Sequence, residues 1–268
     1  MAIIVSVINV IGGVSNAFIV GLMILYFSKH QLGPVLLIDE DYQSGPNSLL
    51  VMTMSRKIII KDMLVVEMEE NETNGIKRNA IENVQSKPNS LVIPSDKRLA
   101  EMISRIPADI LLNVIESAGF SDGTTVVIDT SNSQGMVGMG ICAADMVLVP
   151  MTMSKQTVKP TMNTLTMAAR FHKPLLGIIP TASGEAQWET KILYFWQNAL
   201  DESPELKSLG GVILPRVPLS KSLIRGAWAK MPFTSHLVPV FDAIYTRTFG
   251  KSALPALPIA ETLEVVNG

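Results

Sequence analysis

Short apolar runs alternate with longer stretches of helical spacing along most of the chain. Ile3 to Val10 (IIVSVINV) is β-branched and apolar, as expected of a parallel strand buried on both faces. Gly12-Gly13 supplies a turn, and Asn16 to Lys29 reads as a buried helix, with Lys29 and His30 in its last turn and Gly33 just past it. The apolar run recurs at Val35 to Asp39 (VLLID), Ser90 to Ile93, Thr124 to Asp129 (TTVVID), Met146 to Val149 (MVLV), Leu175 to Ile179 (LLGII) and Gly211 to Leu214 (GVIL). This alternation predicts an α/β fold, a mostly parallel sheet with helices on both faces. Two of the runs end in an acid, Asp39 and Asp129, which places those carboxylates at the sheet's carboxyl edge, where open α/β sheets bind ligands. The pattern is poor between Ser44 and Gln85, where Lys57 to Met68 is the one stretch that reads as a strand pair. Glu67, Glu69, Glu70 and Glu72 before Asn74-Gly75 read as a solvated loop rather than a metal site. No repeat, low-complexity tract or linker divides the chain, so one domain over residues 1–268 is expected.

Composition raises one competing reading. Hydrophobic residues make up 47% of the 268 residues, which excludes a disordered polar chain, but charged residues at 17% are scarce. A mean hydropathy of +0.31 therefore calls for a test of membrane insertion. The first 28 residues carry no charge, and Phe18 to Phe27 (FIVGLMILYF) is apolar but for one glycine. No basic residue precedes that run, however, and Asn9, Gly12, Gly13, Ser15 and Asn16 would fall in the middle of any span. A buried strand and helix fit better, and no stable membrane insertion is expected. The single cysteine, Cys142, rules out an intramolecular disulfide and points to a reducing, cytoplasmic setting, with the thiol as a small core residue.

Candidate chemistry of the usual kinds is thin. His30, His172 and His236 stand far apart without companions at ligand spacing, so they read as helix ends or surface residues, and no metal site is expected. Trp188, Phe195 and Trp196 lie at near-helical spacing and read as a core-facing or partner-facing stripe rather than a base-stacking platform. Fifteen methionines, many between Met136 and Met167, read mainly as core with an adaptable docking surface among them. Charge is uneven: residues 1–150 carry 10 Lys/Arg against 16 Asp/Glu, and residues 151–268 carry 12 against 8. From Lys207 to Lys251 seven basic residues face a single acid, Asp242, which makes either a solvated rim or a surface for a polyanion.

The motifs in their order resemble the ParA/MinD family of deviant P-loop ATPases. These are the opening strand, Gly-Gly turn and helix, then VLLIDED, SLVIPSDKRL (Ser90 to Leu99), VVIDTSNSQG, ADMVLVP (Ala144 to Pro150) and LPRVPLSKS (Leu214 to Ser222). The resemblance covers nearly the whole chain and implies a P-loop NTPase-like fold. The family signature is K-G-G-x-G-K-[ST], in which glycines let backbone amides approach the phosphates, the second lysine neutralises them, the hydroxyl binds Mg²⁺ and the first lysine crosses to the partner subunit. Here the stretch reads Ile11-Gly12-Gly13-Val14-Ser15-Asn16-Ala17. Both lysines and the magnesium hydroxyl are gone, whereas Asp39 and Asp41 match the family's D-x-D and Asp129 its Walker B acid.

The resemblance thus implies a vestigial nucleotide site at Gly12, Gly13, Val14, Ser15, Asn16, Ala17, Pro215 and Arg216, beside an adenine side altered at Pro180-Thr181. A charge about 4 Å from a phosphate oxygen is worth roughly 4 kcal/mol at an effective dielectric of 20, so each missing lysine weakens binding by about a thousandfold. ATP and Mg²⁺ are expected to bind weakly or not at all. Asp39, Asp41 and Asp129 then serve as vestigial catalytic acids or as hydrogen-bond partners of helix caps and turn amides. Ile11 and Val14 are expected at a homodimer interface that no longer waits for nucleotide, with Ile11 turning into its own core as the alternative. Arg216, Lys221, Arg225 and Lys230 are the candidates for non-specific DNA binding. The C-terminal stretch Leu254 to Gly268, with Glu261 and Glu264 and no Lys or Arg, suits anionic lipid poorly. The function expected is a dimeric scaffold or adaptor, without ATP hydrolysis, in DNA partitioning or in positioning a cellular assembly, with an unnamed protein partner. For the family this extends to plasmid segregation, conjugation, and secretion or cellulose machinery. The alternative is an active, DNA-binding ATPase that uses a lysine from outside the loop, Lys155 being the nearest candidate.

Overall fold

The computed structural model describes residues 2–13, 15–30, 34–40, 90–93, 107–184, 186–218 and 237–250. β1 (Ile3–Val7), β2 (Val35–Asp39), β3 (Ser90–Ile93), β4 (Thr125–Asp129), β5 (Met146–Thr152) and β6 (Leu175–Thr181) form a six-stranded sheet in the order β3-β2-β4-β1-β5-β6. Every pairing is parallel. The helices are α1 (Asn16–His30), α2 (Ile110–Ser117), α3 (Gln134–Ala143), α4 (Lys155–Arg170), α5 (Gln187–Glu202), the short α6 (Pro204–Lys207) and α7 (Val238–Phe249). β1 lies between β4 and β5, so the connection β1-α1-β2 leaves it in one direction and β4-α3-β5 crosses it in the other. The chain thereby opens a crevice at the carboxyl ends of β1, β4 and β5.

Strand alternation divides the core. Val5, Val7, Val35, Leu37 and Val127 face α1 and α7, packing on Ile19, Met23, Phe27, Phe241 and Ile244. Their neighbours Ile4, Leu36, Ile38, Val126 and Ile128 face α2 and α3. On the far half of that side Val147, Val149 and Ile178 pack on Leu165 of α4 and on Ile192 and Trp196 of α5. The uncharged N-terminal stretch is therefore one buried strand and one buried helix. α1 has 15 residues and rises only about 22 Å, short of the roughly 30 Å of a bilayer core. Among the described residues no helix is long and apolar enough to cross a membrane.

The elements read from the sequence recur with shifted ends. β1 stops at Val7 rather than Val10, because Asn9 leaves the ladder to bond through its side chain. β5 and β6 run past their expected ends to Thr152 and Thr181. Gly211 to Leu214 follows β6 through bonds such as Leu214 N–H to the Ile178 carbonyl (2.9 Å), yet it makes only one isolated bridge. Pro215 and Pro218, which have no N–H to donate, follow directly. The aromatic stripe splits: Trp196 is fully buried, while Trp188 and Phe195 are exposed. Met136, Met139, Met151 and Met153 are core. His30 ends α1, where its carbonyl accepts from the Tyr245 hydroxyl at 3.1 Å, and His172 is exposed. The half-buried Cys142 thiol has its pKa raised by burial. Lys57 to Met68, the acidic stretch after it, His236 and the C-terminal stretch lie outside the described residues.

Candidate functional site: the loop between β1 and α1

The crevice at the switch point is occupied by the loop from Ile8 to Ser15, which runs from the end of β1 into α1. Gly13 has φ +76° and Ser15 φ +73°. Only glycine adopts that left-handed region freely, so Ser15 carries a strain of about 1 kcal/mol at the position where the family signature has its third glycine. A Cβ on Gly12 would lie 3.0 Å from the Asn132 amide nitrogen, which shows how closely the β4-α3 loop approaches this turn. Gly12 and Gly13 are exposed, and Ile11, Ser15, Asn16 and Ala17 are half-buried. Ile11 packs into none of the three apolar clusters formed by the described residues. Val14 lies outside the described residues.

One side of the loop is held by a polar network that sequence reading missed. The fully buried Asn9 donates from its amide nitrogen to the Pro150 carbonyl at 2.9 Å and to Thr161 Oγ1 at 3.0 Å. Its amide oxygen accepts from Ile11 N–H and from Thr164 Oγ1, both at 3.3 Å. Thr164 Oγ1 in turn accepts from Val10 N–H at 3.1 Å. β1, β5 and α4 are thus tied to the loop by groups that all find partners, the condition under which a buried polar network adds rigidity.

The other side is acidic. Asp39 and Asp129 stand in register at the ends of β2 and β4, and both are buried. The next residue, Glu40, is bound through its N–H to the Asp129 carbonyl at 2.8 Å, and its side chain is fully buried. Neither carboxyl oxygen of Glu40 has a hydrogen-bond partner among the described residues, nor has the buried Ser6 hydroxyl. A Cβ on Gly140 of α3 would meet Thr130 Cγ2 at 2.4 Å, Ser6 Oγ at 2.9 Å and Glu40 Oε2 at 3.4 Å, so all three converge there. Burial holds the Glu40 pKa well above the usual carboxylate range, and the neighbouring Asp129 and Asp39 charges add to the shift. Sequence reading passed over Glu40 because the D-x-D pattern attends to the residues on either side; strand alternation was the available signal. Among the described residues no group of three or more His, Cys, Asp or Glu side chains is placed to hold a metal ion.

The remaining candidates are dispersed. Pro215 is exposed, and half-buried Arg216 donates from Nη1 to the Gly184 carbonyl at 2.7 Å, bridging two segments beside β6. Asp41, Lys221, Arg225 and Lys230 lie outside the described residues. A second basic surface, missed in the sequence, is the outer face of α4: Lys155, Lys159 and Arg170 are exposed, and the helix has no acidic residue.

No family model matches the sequence, and no curated protein matches it. Solved structures do. McdA from Cyanothece in complex with ATP superimposes with a TM-score of 0.73 at 16% identity, over 95% of this chain and 98% of that one. A plasmid partition protein from Borrelia burgdorferi gives 0.63 at 17% identity, over 92% and 100%. Cobyrinic acid a,c-diamide synthase from Mycobacterium smegmatis, with ADP and magnesium bound, gives 0.62 at 18% identity, over 96% and 100%. The resemblance read from the motifs holds at the level of the whole architecture, and this chain shares the fold of the ParA/MinD-type Walker ATPases.

Proposed function

We infer that this protein is a ParA/MinD-like scaffold that has lost nucleotide chemistry and acts as a homodimeric adaptor in partitioning DNA or positioning a cellular assembly. The carrying observation is the composition of the loop crevice. Where the family places two lysines and a hydroxyl, this chain has Ile11, Asn16 and Ala17. At the neighbouring strand ends stand the buried Asp39, Glu40 and Asp129. Asn16 adds a neutral amide, with an oxygen that has no partner among the described residues, where the family has an ammonium. Without an ammonium to neutralise the phosphates, the loop does not fit a triphosphate, so no chemical step is routed through one. The Asn9 network supports the same reading, since it gives the loop protein partners of its own.

The adaptor role follows the likeness in fold to McdA and to the plasmid partition protein. Ile11, half-buried and outside the apolar clusters, beside Val14, is the proposed dimer face. Arg216, Lys221, Arg225 and Lys230, joined by the α4 row of Lys155, Lys159 and Arg170, are the proposed contacts to non-specific DNA, and that affinity is expected to fall steeply as salt rises. Light scattering with and without Mg·ATP tests the scaffold reading. Self-association of unchanged mass in both conditions, reduced by Ile11→Asp, is expected. Dimerisation only with Mg·ATP, together with hydrolysis that Lys155→Ala abolishes, would favour an ATPase with a lysine from outside the loop.

A further inference from the structure

α5 turns one face inward, with Ile192, Trp196 and Leu200 buried, and leaves large aromatic groups on the other. Trp188 is 52% exposed, Phe195 45%, and Tyr194 on their flank 70%. Soluble surfaces seldom leave three neighbouring aromatic side chains open to water unless something docks on them. Trp188, Lys191, Phe195, Asn198 and Glu202 follow one another at intervals of three and four residues, and all are exposed. That is the spacing of a helix-pairing seam.

The charges on this seam identify the partner. Lys191 lies toward its start and Glu202 at its end, with no other charge on the seam, so a polyanion gains nothing from it. A second α5 laid antiparallel across the first puts each Lys191 opposite the other copy's Glu202 and each Phe195 opposite the other copy's Asn198. A seam with a cation at one end and an acid at the other is complementary to itself in that orientation alone. We propose that the outer face of α5 binds the same face of a second copy of this chain by two-fold antiparallel pairing, as a contact separate from the Ile11 face.

The test is the mass of the full chain by light scattering in an Ile11→Asp background, which removes the proposed loop contact and leaves the α5 contact to be read alone, for single variants and for their mixture. Phe195→Ala beside the two-fold axis, combined with Trp188→Ala at the outer end of the seam, removes its aromatic groups and is expected to dissociate the pair. Lys191→Glu alone sets acid against acid, and Glu202→Lys alone sets lysine against lysine, so each is expected to lose the contact. Mixing the two variants restores both opposite-charge pairs, and a mixed dimer is expected. All four positions are exposed, and an unchanged circular dichroism spectrum confirms that folding is intact. An α5 variant with the mass of Ile11→Asp alone, or a mixture that stays apart, overturns the proposal. An Ile11→Asp chain that is already monomeric also overturns it while leaving the loop-face dimer standing.

Discussion

Two buried polar clusters lie three residues apart, one at Ser6 on β1 and one at Asn9 just past its end, and they differ in kind. Around Asn9 the donors and acceptors find partners between 2.9 and 3.3 Å. Around Ser6, packed against Glu40, Thr130 and Gly140, one hydroxyl and two carboxyl oxygens find none among the described residues. Equal burial therefore has opposite consequences. The first cluster stabilises the loop; the second holds a carboxyl group whose burial raises its pKa, at a cost in stability. Stability is commonly given up at sites kept for another purpose, and here it lies at the carboxyl ends of β2 and β4.

The largest expected effect comes from breaking the satisfied cluster. Asn9→Ala leaves the Ile11 N–H, the Pro150 carbonyl and the Thr161 and Thr164 hydroxyls without their shared partner, and should lower unfolding free energy by about 3 kcal/mol, read from the denaturant midpoint. Glu40→Leu acts in the opposite direction. Removing an unpartnered buried carboxyl at similar volume should raise stability by about 2 kcal/mol at neutral pH.

The pH dependence sharpens the contrast. The folded chain holds the Glu40 proton more tightly than the unfolded chain, so this contribution is complete below the usual glutamate value of 4.5 and is lost as pH rises toward the elevated folded value. Wild-type denaturant midpoints should fall over that range, and Glu40→Leu should remove this part of the slope. An unchanged slope would mean that Glu40 is ionised and paired in the folded state. Ser15→Gly is the smallest change: it relieves the φ +73° backbone and should gain about 1 kcal/mol in the thermal melt.

Much of the architecture was legible because strand signals are local. VLLID and SLVI were read to their observed ends, and the helix from Asn16 was placed correctly, since β-branched runs and capping residues act over a few positions. Ser15 was also legible in position, as a serine where a glycine belongs. The two polar clusters were not. Asn9 meets Thr161 and Thr164 across more than 150 residues, and no spacing rule links such positions. The split of Trp188 and Phe195 from Trp196 depended on which face of α5 meets the sheet, and near-helical spacing alone left that open.

The central claim is that this fold stands without nucleotide, its loop held by Asn9 and α4 rather than by phosphate. Calorimetric titration of the full chain with Mg·ATP tests it most directly. The account predicts no heat of binding up to millimolar nucleotide, whereas saturable micromolar binding accompanied by turnover would contradict it.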